Sequence, residues 1–416
     1  MASSATWSSA WRSMPDDMRV VILGAGASHG ASIPGEVLPP LVNQFFAVAD
    51  HLGLLREDYG KEALDRLRAE IERTGGDFAR AQEAVGVPEF MGHLFALKEF
   101  VKEQLDVKPD EYQTTGVDIE RLMALAEGEL LGRHAVARLT GPRRDRPVPT
   151  AADKLEEHLH FVICGALLGT TRDAVCEYHV ALAEWLRPGD VVLSFNYDLL
   201  IDRALKRRGD WFINDGYGLS FHKVGGRGAW RSPLGTVSRV KLLKLHGSLN
   251  WLHCRDSWQS NMNMDLRGLP YRSAPQLLYC LDDLYPTFEE DHPLYEWWAR
   301  YEHEQDEYIF DLHSLIVPPT LSKAYRSFEP LIGDIWGMAI VALLRATELY
   351  LIGYSIRPED ARCQWLLKKC AVEGKVANVN VVDPSEETLR RAVEMFGEKR
   401  TVRAASTIQG FAKMLR

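Results

Sequence analysis

Arg19-Val-Val-Ile-Leu-Gly-Ala-Gly-Ala-Ser28 is the stretch that decides the fold. Arg19-Val-Val-Ile-Leu23 is a short aliphatic, β-branched run, which reads as a buried strand. It stops at Gly24. Gly24-Ala-Gly-Ala-Ser28 then makes a tight turn ahead of a helical region, and glycines there let backbone N–H groups approach a phosphate. The dinucleotide fingerprint asks for a third glycine at the sixth position; His29 stands there, and Gly30 follows it. Taken alone, the segment reads equally as a phosphate-binding turn and as a plain strand-to-helix turn.

Working outward, the same punctuation recurs. Val191-Val-Leu-Ser-Phe195 ends at Asn196-Tyr-Asp198, and Val240 to Leu245 ends at His246-Gly-Ser248. Glu348-Leu-Tyr-Leu-Ile352 ends at Gly353-Tyr-Ser355, and Val376 to Val382 ends at Asp383-Pro-Ser385. Ser314-Leu-Ile-Val-Pro-Pro319 ends a further strand. Helical spacing fills the gaps, from Leu199, over Phe328 to Arg345, Asp360 to Ala371, and about 386 to 396. Strands alternating with helices, with small or polar residues after each strand, predict an α/β fold. It is a Rossmann-like parallel sheet with helices on both faces and its site at the carboxyl edge.

The chain has 416 residues, enough for two to three domains at roughly 150 residues each. From Gly24 to Asn196 is 196 − 24 = 172 residues, and most of that stretch has helical periodicity, so an inserted helical subdomain is expected. Gly141-Pro-Arg-Arg-Asp-Arg-Pro-Val-Pro-Thr150 breaks it as a surface loop. The expected organisation is a flexible arm at 1–18, a Rossmann domain at 19–40 and 188–400, and a mostly helical insertion at 41–187. A smaller subdomain of loops and short elements is expected at 253–311, and a C-terminal tail at 401–416.

With 46% hydrophobic residues the chain can build a core, which excludes global disorder. Lys and Arg number 49 against 58 Asp and Glu, a net charge of −9, so direct nucleic-acid binding is not expected. The cysteines at 164, 176, 254, 280, 363 and 370 contain no Cys-x-x-Cys pair. That excludes a four-cysteine zinc ribbon and predicts buried thiols in a reducing cytoplasm. No stretch has the ~20 apolar residues of a membrane span, and the first seventeen residues lack a signal peptide's apolar core. A cytoplasmic location is expected.

Three strand-end residues could carry chemistry. His246 is placed to be a general base near neutral pH, or is a satisfied structural histidine. Asn196 can orient a polar group or a water, and Asp198 can accept from an amide NH2; alternatively both form an Asx turn capping the next helix.

The motifs in order carry more than each alone. Gly24-Ala-Gly-Ala-Ser28, Ser194-Phe-Asn-Tyr-Asp198, Lys244-Leu-His-Gly-Ser-Leu-Asn-Trp251, Ile316-Val-Pro-Pro-Thr320 with Lys323, Ile352-Gly-Tyr-Ser-Ile356 with Asp360, and Asp383-Pro-Ser385 together resemble the sirtuin (silent-information-regulator) superfamily. More narrowly, they are similar to the sirtuin-like NAD-hydrolysing domains of bacterial anti-phage defence systems. The resemblance implies that NAD is bound as substrate. Gly24, Ala25, Gly26 and Ser28 would line the diphosphate and nicotinamide ribose, and Asn196 would hold the water or ribose near the reacting carbon. Asp198 would take the nicotinamide carboxamide, and His246 would be the general base. Gly353 and Ser355 would contact the adenosine side, and Asp383 would lie near the adenine ribose.

Three departures from the protein-deacetylase members stand out. The zinc ribbon is absent, Gly35-Glu-Val37 replaces Asp-Phe-Arg after Ile33-Pro34, and Phe195 replaces the Gln before the catalytic Asn. These suit water as acceptor. The resemblance therefore implies an NAD glycohydrolase that releases nicotinamide and ADP-ribose and depletes NAD on phage infection, with no metal. It also implies a homo-oligomer and a companion ATPase or helicase of the HerA type or another defence protein. The competing readings are an NAD-dependent protein deacylase or ADP-ribosyltransferase, and a non-catalytic sensor of NAD or ADP-ribose.

Overall fold

The computed structural model describes residues 17–31, 37–55, 61–74, 78–85, 89–126, 128, 151–171, 174–223, 229–233, 236–254, 278–281, 297–303, 306–317, 325–358 and 360–416. The chain divides into two compact units, one comprising Met1–Pro39, Thr170–Val317 and Ala324–Arg416, the other Pro40–Gly169 and Pro318–Lys323.

The strands, all in the first unit, are β1 (Arg19–Leu23), β2 (Val191–Ser194), β3 (His222–Lys223), β4 (Lys241–Lys244), β5 (Gly247–Cys254), β6 (Tyr279–Cys280), β7 (Trp297–His303), β8 (Asp306–Ile316), β9 (Glu348–Ile352), β10 (Asn378–Val382) and β11 (Thr401–Ala405). Six of them form one parallel sheet in the order β11-β10-β9-β1-β2-β4. The chain runs outward from β1 through β2 to β4, then returns to β9 on the other side of β1 and runs outward again. The point where the order reverses is therefore the β1/β9 pair, the place where open α/β sheets form their ligand crevice.

The aliphatic character of these strands follows from their burial. All five residues of β1 and all four of β2 are buried, because helices flank the sheet. The described helices of this unit are α1 (Ala25–His29), α2 (Glu177–Trp185), α3 (Leu200–Arg207), a single turn α4 (Ile213–Gly216), α5 (Tyr325–Arg345), α6 (Ala361–Glu373), α7 (Glu386–Phe396) and α8 (Ile408–Leu415). Contacts sort six of them into two packed groups, α2 with α3 and α8, and α5 with α6 and α7.

A buried ion pair interrupts the apolar core beside β1. The Arg19 guanidinium pairs with Asp190 at 2.6 Å, with both side chains almost fully buried, and it lies 3.8 Å from the centre of the Trp185 ring. Asp190 also accepts from the Arg19 and Arg187 backbone N–H groups, so the pair ties β1 to the turn that starts β2. Removing one partner of such a pair strands a buried charge. Asp190→Ala is expected to lower unfolding free energy by about 3–5 kcal/mol, read as a shift in the denaturant midpoint.

The remaining strands form a second sheet in the order β3-β6-β5-β8-β7. β5 begins directly after His246, at the end of β4, and runs antiparallel to β8 with Gly247 opposite Ile316. The other unit is helical in its described residues, including Phe45–His51, Lys61–Arg73, Phe78–Val85, Glu89–Leu105 and Tyr112–Thr115, with Phe46 and Tyr112 in edge-to-face contact at 5.2 Å.

Three boundaries differ from the sequence expectation. The helical unit ends at Gly169, not 187, because α2 packs on α3 and α8 of the sheet unit. Residues 401–416 are not a tail: β11 completes the parallel sheet's edge, and α8 buries Ile408, Phe411 and Ala412. Where 253–311 is expected to hold loops and short elements, the described residues carry the longer β7–β8 ladder, seven residue pairs from Trp297↔Leu312 to His303↔Asp306. Residues 1–16 of the expected arm and the 141–150 loop lie outside the described residues, while Met18 is fully buried. Among the described residues no helix is long and apolar enough to cross a membrane.

Candidate active site

Parallel register builds the site. Leu23 pairs with Ser194 on one side and with Ile352 on the other, Ser194 pairs with Lys244, and Ile352 pairs with Val382. The residues that follow each strand therefore stand in one row: Gly24, Phe195, Leu245, Gly353 and Asp383. The ladder continues into that row, with Gly24 N–H donating to Ile352 O at 3.1 Å and Phe195 N–H to Leu23 O at 3.0 Å. The motifs that follow these five strands lie along this one edge, while Ser314–Ile316 ends β8 in the second, antiparallel sheet.

The glycine turn closes by backbone alone. Gly26 N–H donates to Gly353 O at 3.0 Å. A Cβ on Gly24 would lie 2.5 Å from Gly353 O, and a Cβ on Gly353, whose φ is +58°, would lie 2.1 Å from Ala27 N. Nothing larger than hydrogen fits between the two turns, so glycine is needed here for close approach. Ala25 is exposed and Gly26 half-buried at the turn's outer side.

Ser28, Asn196 and Asp198 form one hydrogen-bonded chain. Asn196 Nδ2 donates to Gly24 O at 2.9 Å and to Ser28 Oγ at 2.8 Å. Ser28 Oγ donates to Asp198 Oδ2 at 2.6 Å, and Leu200 N–H donates to Asp198 Oδ1 at 3.0 Å. Both N–H donors of the Asn196 amide are thus spent, and its carbonyl oxygen is what it has left to offer a ligand. Asp198 closes an Asx turn onto Leu200, the first residue of α3, and both its oxygens accept a hydrogen bond inside a buried side chain. Each Asp198 oxygen thus accepts one hydrogen bond from the protein and keeps a second lone pair.

His246 stands at the end of β4, 4% exposed. Its Nε2 is buried without a hydrogen-bond partner. The ring meets Phe195 edge-on at 5.1 Å, and Phe195 in turn stacks on Tyr354 at 4.7 Å. Burial among these rings pushes the imidazole down to about 4; the Asp360 carboxylate opposes this and Arg362 adds to it. The imidazole is therefore neutral at neutral pH, with a lone pair to give.

The other sequence candidates are more peripheral. Ser355 is exposed. Asp383 is buried after β10, where its Oδ1 accepts from Ser385 N–H at 2.9 Å. It stands in the same row, and no hydrogen bond links it to the Asn196 chain.

Several further residues support this edge. Lys244, fully buried, pairs with Asp202 at 3.1 Å and donates to the Asp198 main-chain carbonyl. Asp202 also accepts from Tyr217 OH, which accepts from Asn250 Nδ2 at 3.1 Å. This network holds the 196–198 loop from below. His179 on α2 is fully buried near the Asp198 charge, and burial pushes it too down to about 4. A ring nitrogen of His246, a carboxylate oxygen of Asp360 and the Cys363 thiol lie within 4.8 Å of one another, a donor set able to hold a metal ion. Lys244 had a signal, as the first residue of its motif; a lone histidine on a helix has none.

No family model matches the chain, and no curated protein does. Among solved structures, one similar chain is a Sir2 mutant with a p53 peptide and NAD, at 11% identity and a TM-score of 0.32, covering 100% of this chain and 96% of that one. A likeness that faint carries no weight, and the Rossmann-like assignment rests on strand order and register.

Proposed function

We propose that this chain cleaves the nicotinamide–ribose bond of NAD with water, releasing nicotinamide and ADP-ribose. The observation that carries the reading is the Ser28–Asn196–Asp198 chain at the β1/β2 strand ends, with a neutral, buried imidazole one strand further along the same edge. Binding alone needs no such base.

Nicotinamide leaves readily because departure neutralises its pyridinium charge. The ribose is left oxocarbenium-like, and the protein's task is to hold it, exclude bulk water and set one water on its open face. The Asn196 carbonyl, fixed by its two donated hydrogen bonds, is an acceptor suited to a water or a ribose hydroxyl. Ser28 and Asp198 act through Asn196 as positioning residues. His246 takes the water's proton as the new C–O bond forms. A weak base suffices, because an oxocarbenium ion demands little nucleophilic push. Phe195 beside the imidazole keeps the centre dry. In this reading NAD depletion is the biological output, in keeping with the defence systems the motifs resemble, and a partner or self-association gates it.

The test is chromatography of NAD incubated with purified protein, wild type beside His246→Ala. Wild type is expected to release nicotinamide and ADP-ribose in equal amounts, and His246→Ala to be slower by roughly 10²–10⁴-fold. Equal rates in the two would overturn the role of His246, and acetyl-lysine peptide consumption in step with NAD would point to a deacylase.

The pH dependence has a definite sign. The base acts when neutral, so turnover is lost as pH falls through its folded value, here about 4. kcat/KM, which reports the free enzyme, is expected to be nearly flat from pH 8 to 5. An imidazole at its ordinary value would lose about thirty-fold by pH 5.

A further inference from the structure

We propose that His246, Asp360 and Cys363 form a binding site for a zinc-class divalent cation, and that its occupation switches the hydrolase off. The binding half stands by itself; the switching half rests on the proposed hydrolysis.

The donors come from two elements. His246 follows β4. Asp360 is the N-cap residue of α6, with its Oδ1 accepting from Cys363 N–H at 3.1 Å, so the cap fixes carboxylate and thiol in one frame. Residues three apart at a helix start project to the same side. The three ligand atoms lie within 4.8 Å of one another. Around a tetrahedral zinc, bonds of about 2.0–2.3 Å put ligand atoms roughly 3.5 Å apart, so side-chain rotation closing the cluster by about 1 Å suffices.

A second, independent observation points to a ligand. His246 Nε2 is buried and unpartnered in a side chain more than nine-tenths buried, and such orphans are uncommon and costly. Hydrolysis gives the imidazole a reason to be bare, but it gives none for a thiol and a carboxylate beside it. Their chemistry selects the cation. One nitrogen, one oxygen and one sulfur suit zinc; magnesium and calcium want oxygen alone. Three protein ligands leave one position for water. Binding displaces the thiol proton, leaving a thiolate on the metal. With its lone pair on the cation, His246 has nothing left to accept a proton.

The experiment titrates metal-free full-length chain with Co²⁺, a coloured stand-in for zinc, in wild type, Asp360→Ala and Cys363→Ser. One cobalt per chain with a thiolate-to-cobalt charge-transfer band is expected in wild type. The band should vanish in Cys363→Ser and weaken at least ten-fold in apparent affinity in Asp360→Ala. Zn²⁺ should displace the cobalt and suppress nicotinamide release in wild type. It should do so only at ten-fold or higher concentration in Cys363→Ser, which keeps its zinc-free turnover. No band in wild type, or one that survives in Cys363→Ser, overturns the site. A band with nicotinamide release unchanged or raised by zinc overturns the switch and leaves the site. No turnover in zinc-free wild type overturns the hydrolase reading and the switch with it, while the absorption result still decides the site.

Discussion

Asn196→Ala is expected to lower kcat for nicotinamide release by on the order of 10³-fold, with KM for NAD changed less than ten-fold. The asymmetry follows from how the amide is held. Its two N–H donors are committed to Gly24 O and Ser28 Oγ, so its carbonyl oxygen is already aimed before substrate arrives. A fixed dipole does most where positive charge grows on the way to the transition state, and that place is the ribose, which takes up the charge the pyridinium loses. Truncation removes the dipole and strands two buried partners. Steady-state kinetics and the unfolding midpoint of the same sample separate the effects. KM raised with kcat intact would make Asn196 a binding residue only.

Gly353→Ala is the second large effect. The new Cβ would lie 2.1 Å from Ala27 N and 2.4 Å from Gly26 C, both backbone atoms, at a φ of +58°. Neither neighbour can rotate away, so the glycine turn must shift as a whole. The left-handed conformation costs about 1–2 kcal/mol for a residue with a Cβ, and the clash adds to it. A loss of about 3–4 kcal/mol in stability is expected, with NAD affinity down at least ten-fold because the turn after β1 moves. Gly333→Ala, inside α5 with nothing within 4 Å of its Cβ, should instead be neutral or stabilise by about 0.5–1 kcal/mol. Equal midpoints for the two variants, read by denaturant unfolding, would refute the close-approach argument.

The parallel sheet was legible because its strands are short aliphatic runs that announce themselves locally. β1 and β9 occupy the ranges their composition predicts, and α7 spans Glu386–Phe396 as its spacing does. The row of strand-end residues was legible for the same reason, since register follows once the strands are parallel. What was not legible depends on partners distant in sequence. The β7–β8 ladder mixes aromatic with charged residues, and nothing local distinguishes it from loop. β11 reads Thr-Val-Arg-Ala-Ala405, an edge strand with little aliphatic content. Its companion α8 did carry a signal, with Ile408, Phe411 and Ala412 three and four apart. The sequence leaves Asp198 open to an Asx turn or a ligand contact, and the fold places Leu200 N–H and Ser28 Oγ on its two oxygens. His179, and the approach of Asp360 and Cys363 to His246, arise from packing of elements far apart in the chain.

His246 is the last residue before one sheet hands over to another. Behind it, β4 is clamped to β2; ahead, Gly247 faces Ile316, and the His246 carbonyl accepts from Val317 N–H at 2.9 Å. The imidazole is thus anchored at a seam, pinned on both sides by main chain. A longer hairpin or an altered surface further out on the second sheet would leave the imidazole where it is. Under the proposed hydrolysis, such an arrangement separates the part that must hold still for chemistry from the part free to change, with the border at a single peptide unit.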